Sequence, residues 1–212
     1  QMSQRRFEEL QMQMLYVIGR ITERVAPLAY FNFDGVVSSL LLSPLTRFPS
    51  YKYGYSFCCW LQVNTFFGPE SSLLAWEDHT GAPVFELVFV RASGQDANCR
   101  SLCARTKEGA HVFSQYTFAE NSTWHHLVLT HSYRNVSLLV DGRLVHKFTN
   151  VAYPGSNVSK SAPLTGHIGS PPPDSSRTTS FCGALDTLHF FEGVLEEKQA
   201  QAIFAEVKRY LQ

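Results

Sequence analysis

The chain has 212 residues, eighteen Lys and Arg against eighteen Asp and Glu, 44% hydrophobic residues and sixteen Phe. That length suits one large β domain, or one domain with helical extensions, better than two full domains. Zero formal charge removes the electrostatic basis for seeking nucleic acid or an acidic membrane surface, and the apolar content excludes disorder for the bulk of the chain.

Residues 3–25 carry Phe7, Leu10, Met14, Val17 and Ile21 at a 3,4,3,4 spacing, which predicts an amphipathic helix with one apolar stripe. Gly19 weakens it, and Pro27 ends it near Arg24, because the residue before a proline is pushed out of the α region. Arg5, Arg6, Arg20 and Arg24 are balanced by Glu8, Glu9 and Glu23. No dense basic face results, so the stripe is expected to pack on protein rather than lie on a membrane.

From Tyr30 to Phe191 the pattern is that of short strands separated by Gly, Pro, Asn and Ser. Tyr55, Phe57, Cys59, Leu61 and Val63 fall on one face of a strand and Cys58 and Trp60 on the other, so both faces are apolar and the strand is expected to be central. Val84–Val90 reads likewise, interrupted only by Glu86. Trp124–His131 is followed by Asn135–Val140, which Asp141-Gly142 joins to Arg143–Phe148, a two-residue hairpin signal. Residues 153–180 are rich in Ser, Pro and Thr, with Pro171-Pro172-Pro173-Asp174 at their centre, and read as surface loops around one short piece, His167-Ile168-Gly169. A last strand, Cys182–Phe191, leads into a second helix over 195–211. Glu196 and Glu197 suit its start, Lys208 and Arg209 its end, and Ile203, Val207 and Tyr210 line one side.

Ten or more short strands with no helix among them predict a mainly β architecture of two antiparallel sheets packed face to face, since a single sheet would leave an apolar face wet. The expected organisation is an N-terminal helix over 1–26, a β-sandwich over 27–193 and a C-terminal helix over 194–212. No run of eighteen apolar residues exists, the first nine residues are mostly polar and charged with no apolar signal core, and the chain, beginning at Gln1, reads as an excised fragment. Five cysteines, an odd number in a chain too long to need staples, predict a reducing compartment. The sequons at Asn121, Asn135 and Asn157 matter only if the chain enters the secretory pathway.

The chemistry-bearing residues do not assemble into a reaction centre. His125 and His126 are adjacent on a strand and face opposite ways, while His125 and His131 share a face but stand roughly 20 Å apart, too far for one ion. Cys99 and Cys103, with His111 downstream, lack a second close pair to complete four zinc ligands. Cys58 and Cys59 read as packing. A glycosidase needs two carboxylates flanking one bond, ~5 to 9.5 Å apart; Glu77 and Asp78 are adjacent and diverge, and Glu86 stands alone in its strand. Asp141 reads as a turn residue rather than a calcium ligand. The sequence therefore predicts no catalytic residue, no metal site and no cofactor. Trp76, beside Asp78 and His79, is the candidate ligand platform. Tyr30, Phe57, Trp60, Trp124, Leu127, Leu138, Val140 and Leu185 are expected to be structural, with Trp60→Ala or Trp124→Ala each costing roughly 3 to 5 kcal/mol.

The ordered blocks Tyr30-Phe31-Asn32-Phe33-Asp34-Gly35, Gly54 through Leu61, Trp124-His125-His126-Leu127, Val140-Asp141-Gly142, His167-Ile168-Gly169 and Phe181-Cys182-Gly183 resemble the signature of concanavalin A-like (laminin-G-like) domains over about residues 28–204. Trp60, Trp124, Asp141, Gly142, Gly169 and Gly183 carry that signature. Arg47-Phe48-Pro49, Phe181 through Ala184, Phe190-Phe191 and Ile203-Phe204-Ala205 resemble the version in BEACH-domain proteins, the neurobeachin and neurobeachin-like subgroup. The resemblance implies a jelly-roll sandwich without catalytic activity, set among helical repeats of a large cytoplasmic scaffold peripheral to endomembranes or vesicles. Its implied partners are trafficking proteins and the flanking repeats of its own chain, with no nucleic acid and only indirect membrane association. Each terminal helix would then belong to an interrupted solenoid and be unable to bury its face alone. The alternatives are a sugar-binding lectin, a sandwich glycoside hydrolase and an extracellular laminin-G module. No cluster of Asp and Asn offers a calcium site to the lectin alternative.

Overall fold

The computed structural model describes residues 30–91, 94, 96–154, 163–169 and 180–208, with side chains to residue 206. The expected helix over 3–25, the Asn157 sequon and the Pro171–Asp174 loop lie outside them.

The chain forms β1 (Phe31–Asp34), β2 (Ser39–Leu45), β3 (Tyr55–Thr65), β4 (Glu70–Glu77), β5 (Pro83–Val90), β6 (Cys99–Thr106), β7 (Gly109–Val112), β8 (Phe118–Ala119), β9 (Trp124–Ser132), β10 (Asn135–Val140), β11 (Arg143–Phe148), β12 (Leu164–Gly169) and β13 (Cys182–Glu192), followed by helix α1 (Glu197–Lys208). Two sheets result. The first runs β1-β13-β3-β9-β10-β11 and the second β2-β12-β4-β5-β6-β7, with β8 pairing on β6. Every described pairing is antiparallel, and the mainly β sandwich expected from the sequence is what forms.

β3 lies in the interior of the first sheet, between β13 and β9, and its alternation decides where the core sits. Tyr55, Phe57, Cys59, Leu61 and Val63 point into the space between the sheets, where they meet Phe85, Leu87 and Phe89 of β5. Cys58 points the other way, into a second cluster with Val128, Leu139, Leu195 and Ala200. Both faces of this strand are thus dry, because α1 covers the outer one: Phe204 stacks on Trp60 at 5.6 Å and Ala200 is fully buried. The C-terminal helix therefore buries its face on the sandwich itself, contrary to the expectation that it needs neighbouring repeats.

Local chemistry sets the start of α1 more tightly than its charge pattern. The Gln199 side chain reaches back to accept from the Glu196 amide at 2.8 Å, one half of a capping box, so the helix begins at Glu197 and not at 195. The Ser56 hydroxyl donates to the Gly193 carbonyl and accepts from the Leu195 amide, both at 2.8 Å, which pins the entry of the helix to β3.

The Asp141-Gly142 hairpin forms with Val140 opposite Arg143. Asp141 and Gly142 have φ of 51° and 73°, the left-handed pair that a two-residue turn requires. Asp141 also closes the turn with its side chain, accepting from the His126 amide at 2.9 Å and pairing with His125 Nδ1 at 3.1 Å. Burial pulls its carboxyl upward, but these hydrogen bonds outweigh that and leave it below the usual carboxylate range. The expected fragment His167–Gly169 is the end of a longer strand, β12, which pairs with β2 and β4.

Trp124 corrects another expectation. It sits at the first position of β9, partly buried, in edge-on contact with Tyr30 at 5.9 Å, and Tyr30 is itself 57% exposed. A strand start has too few neighbours to enclose an indole, so neither residue belongs to the core.

Candidate functional site

The three residues proposed from the sequence as a ligand platform do not form one. Trp76 points inward, 2% exposed, against Phe190 at 5.7 Å. Its indole lies over Gly166 of the neighbouring strand, where a Cβ would meet the ring. Asp78 and His79 lie in the β4–β5 turn. Asp78 Oδ1 accepts from the Thr80 and Ala82 amides and Oδ2 from Lys107 Nζ at 2.8 Å, so the Lys107 ammonium, followed by Thr80, holds the carboxyl well below the ordinary range. This aspartate staples a turn.

The histidines have separate tasks. His126 is fully buried under α1, with Nε2 at 3.1 Å from Cys58 Sγ, and His131 is 1% exposed with Nδ1 at 3.2 Å from the Tyr55 hydroxyl. Burial pushes each imidazole down to about 4 and pushes the Cys58 thiol up to about 12, so the Cys58–His126 pair is neutral and unreactive. Among the described residues no three His, Cys, Asp or Glu side chains converge to hold a metal ion.

A stability prediction follows from the two histidines. The unfolded chain binds their protons below pH ~6.5 and the folded chain only below about 4, so stability is complete above 6.5 and is lost as pH falls toward 4. The loss is on the order of 2–3 kcal/mol per imidazole. Urea unfolding at pH 7.5 and pH 4.5 measures it, and equal midpoints would refute the burial argument. Asp141 does not offset the loss, because its lowered pKa acts below that window.

The carboxylates considered for a hydrolase lie on the neighbouring strands β4 and β5 of the second sheet. Ala75 of β4 pairs with Glu86, which pairs with Arg105 of β6, and Glu77 follows two residues along β4. Sequence spacing within one strand could not reveal the cross-strand pairing of Glu86 with Arg105. Arg105 binds Glu70 at 2.8 Å and Glu86 at 3.3 Å, and the Ser72 hydroxyl also donates to Glu86. Glu86 and Glu77 are 3% and 7% exposed. Carboxylates this enclosed present little surface to a substrate.

An accessible concavity lies at one end of the sandwich. The loops 46–54, 133–134 and 149–154 enclose a groove of about 740 Å³, walled by Arg47, Tyr51, Tyr133, Arg134, Asn150 and Tyr153. Phe48 forms its floor, edge-on to Tyr55 at 5.2 Å and Tyr153 at 6.1 Å, so the groove is seated on the aromatic end of the core. The Tyr153 hydroxyl donates to the Pro49 carbonyl at 3.1 Å, and the Val151 amide donates to the Arg134 carbonyl at 2.9 Å. These two bonds tie the three loops into one rim.

Tyr51 and Tyr133 stand on that rim, 61% and 59% exposed, with ring centres 6.3 Å apart. Tyr133 is the first residue of the two-residue β9–β10 turn and has φ of 51°, a position that hairpins usually give to Gly or Asn. Asn150 lines the same groove at φ 60°. Left-handed backbone on a bulky residue costs on the order of 1–3 kcal/mol and persists only where the surrounding structure imposes it. None of these rim residues was singled out as a ligand site from the sequence, where Arg47 counted only toward a family motif. The signal was present: Tyr51-Lys52-Tyr53-Gly54 and Ser132-Tyr133-Arg134-Asn135 place aromatics inside turns, which favour small polar residues.

The sequence matches the family described as the Concanavalin A-like lectin/glucanases superfamily (Laminin_G_3) over residues 34–201. A comparison with curated proteins returns no match. Among solved structures, a heptameric SAP-like pentraxin from Limulus polyphemus is similar with a TM-score of 0.61 at 15% identity, over 82% of this chain and 80% of that one. Domain 4 of AbnA, a GH43 extracellular arabinanase from Geobacillus stearothermophilus in complex with arabinotriose, gives 0.57 at 17% identity, over 82% and 81%. Trypanosoma rangeli sialidase in complex with sialic acid gives 0.62 at 14% identity, over 85% of this chain but only 28% of the sialidase. At these identities the likeness is one of fold, shared by binding proteins and hydrolases alike.

Proposed function

Because the chain belongs to the Concanavalin A-like lectin/glucanases superfamily, we propose that it is a non-catalytic, lectin-type binding module that takes a saccharide in the rim groove. The observation that carries this reading is the exposed pair Tyr51 and Tyr133, one of them held at positive φ, above a preformed groove. Exposed rings offer apolar faces to the C–H faces of sugar rings, and a groove tied by its own hydrogen bonds needs little ordering on binding. Hydrolysis is not part of the proposal, since Glu86 is enclosed and held by Arg105. A glycan array probed with the wild-type chain, then with Tyr51→Ala and Tyr133→Ala, tests it. Each variant is expected to bind about tenfold less tightly, ~1.4 kcal/mol, with its thermal midpoint little changed because both rings are exposed. Binding that survives both substitutions would refute the groove as the site.

A second reading is a protein-interaction module of a BEACH-type scaffold in vesicle or granule trafficking, cytoplasmic and flanked by helical repeats. Five free cysteines, Cys58 and Cys59 among them buried side by side in sequence, favour it, since such thiols suit a reducing compartment. Mass spectrometry of the endogenous protein separates the compartments: glycans on Asn121 or Asn135 would place the domain outside the cytosol and remove this second reading.

A further inference from the structure

We infer that the rim groove selects acidic saccharides, its ligand carrying a carboxylate or sulfate that the guanidinium groups of Arg47 and Arg134 receive. The inference rests on the groove being a saccharide site. The chain as a whole has no net charge, yet Arg47 and Arg134 line this groove and Lys52 lies beside Tyr51 in the same loop, while Asp and Glu are absent from its lining. The local positive excess is therefore not a spill-over of general basicity.

The nearest carboxylate, Glu192, does not neutralise it. Glu192 accepts from the Ser50 amide at 3.2 Å and stands 3.8 Å from Arg47, with side chains 42% and 77% exposed. An ion pair this long and this wet holds its partners weakly. Arg134 has no carboxylate partner among the described residues. Its guanidinium lies over the Tyr133 ring, 5.6 Å from the centre, a contact with the ring face that leaves its N–H donors able to take a carboxylate or sulfate.

The balance of donors and acceptors points the same way. Hydroxyl groups of a neutral sugar must donate as well as accept, and charged acceptors suit them best. Here the charged side chains of the lining are all donors, so a saccharide that brings its own anionic acceptors matches the wall.

The test uses the 212-residue chain and matched probes: a heparin-derived tetrasaccharide, the same tetrasaccharide desulfated and carboxyl-reduced, and a decaglutamate peptide. The charged tetrasaccharide is expected to bind at least about tenfold more tightly than its neutral form, with affinity falling as salt rises. Arg134→Gln and, separately, Arg47→Gln are each expected to bring the ratio of charged to neutral affinity most of the way down to one, with the thermal midpoint little changed because both side chains lie at the rim. Equal binding of the charged and neutral tetrasaccharides overturns the inference but leaves the groove as a saccharide site. Failure of both to bind overturns the saccharide reading as well. Decaglutamate binding as tightly as the charged tetrasaccharide also overturns the inference, since charge without a sugar ring would then suffice.

Discussion

Truncating Trp60 to alanine is expected to destabilise the domain by roughly 3–5 kcal/mol, the largest effect of any single side-chain deletion on the helix-covered face. Its indole is 3% exposed, stacked on Phe204 of α1 at 5.6 Å and tilted against His126 at 5.2 Å. Removing it deletes transfer free energy and leaves a cavity that the rigid sheet on one side and the helix on the other cannot collapse. The loss is comparable to the whole stability of many domains, so urea unfolding is best begun at low temperature. Trp124→Ala is the informative contrast. Its side chain is only partly buried and its aromatic contact is the exposed Tyr30, so a loss of ~1 kcal/mol is expected, about the worth of one edge-on aromatic pair. Equal losses at the two sites would mean that α1 does not dock in solution as the structure places it.

Gly183→Ala is expected to be as damaging by the opposite physics. Gly183 lies in β13, paired with Val63 of β3, and a Cβ there would run into the Gln62 carbonyl oxygen, with the Phe181 ring 2.6 Å away. The oxygen belongs to backbone and cannot swing aside, so the methyl group must push β13 off β3, the strand that holds both faces of the first sheet. Overpacking of this kind costs ~1–3 kcal/mol where side chains can yield and more where they cannot. A loss of about 3 kcal/mol or greater is therefore expected in chemical denaturation. Gly109→Ala is the control. Gly109 opens β7 at the edge of the second sheet, and the nearest atom to its added Cβ is His111 Nε2 at 3.9 Å. That change is expected to be neutral or to stabilise by up to ~1 kcal/mol through the unfolded chain. A mild Gly183→Ala would show that the pairing of β13 with β3 is looser than its register implies.

These contrasts mark where reading the sequence succeeds. Alternation along Tyr55–Val63 is a local property, and the pleat turns it directly into two apolar faces; a strand with two such faces has to be covered on both. Asp141-Gly142 is equally local, because its two left-handed residues are chosen by backbone sterics before any tertiary contact forms. Trp124 and Trp76 show the limit. The chemistry of an indole is the same in both, but Trp124 falls at a strand start with few neighbours and Trp76 over Gly166 of another strand. Burial depends on what the fold brings alongside, and spacing along one strand carries no record of that.

The candidate site was the least legible part for the same reason. The groove takes one wall from each of three loops, the first some eighty to a hundred residues before the other two, and its walls become a site only when the Tyr153–Pro49 and Val151–Arg134 hydrogen bonds bring them together. The cross-strand pairing of Glu86 with Arg105, and the docking of α1 on Trp60, are decided likewise by register and packing. By itself the sequence determined the β class, the doubly apolar central strand and the tight hairpin, since period-two patterning and turn sterics act between residues that are near in the chain. Only the tertiary structure decided which aromatics are core, what covers the outer face of the first sheet and where a ligand has room. Those depend on contacts between distant segments, which the closing of the two sheets creates.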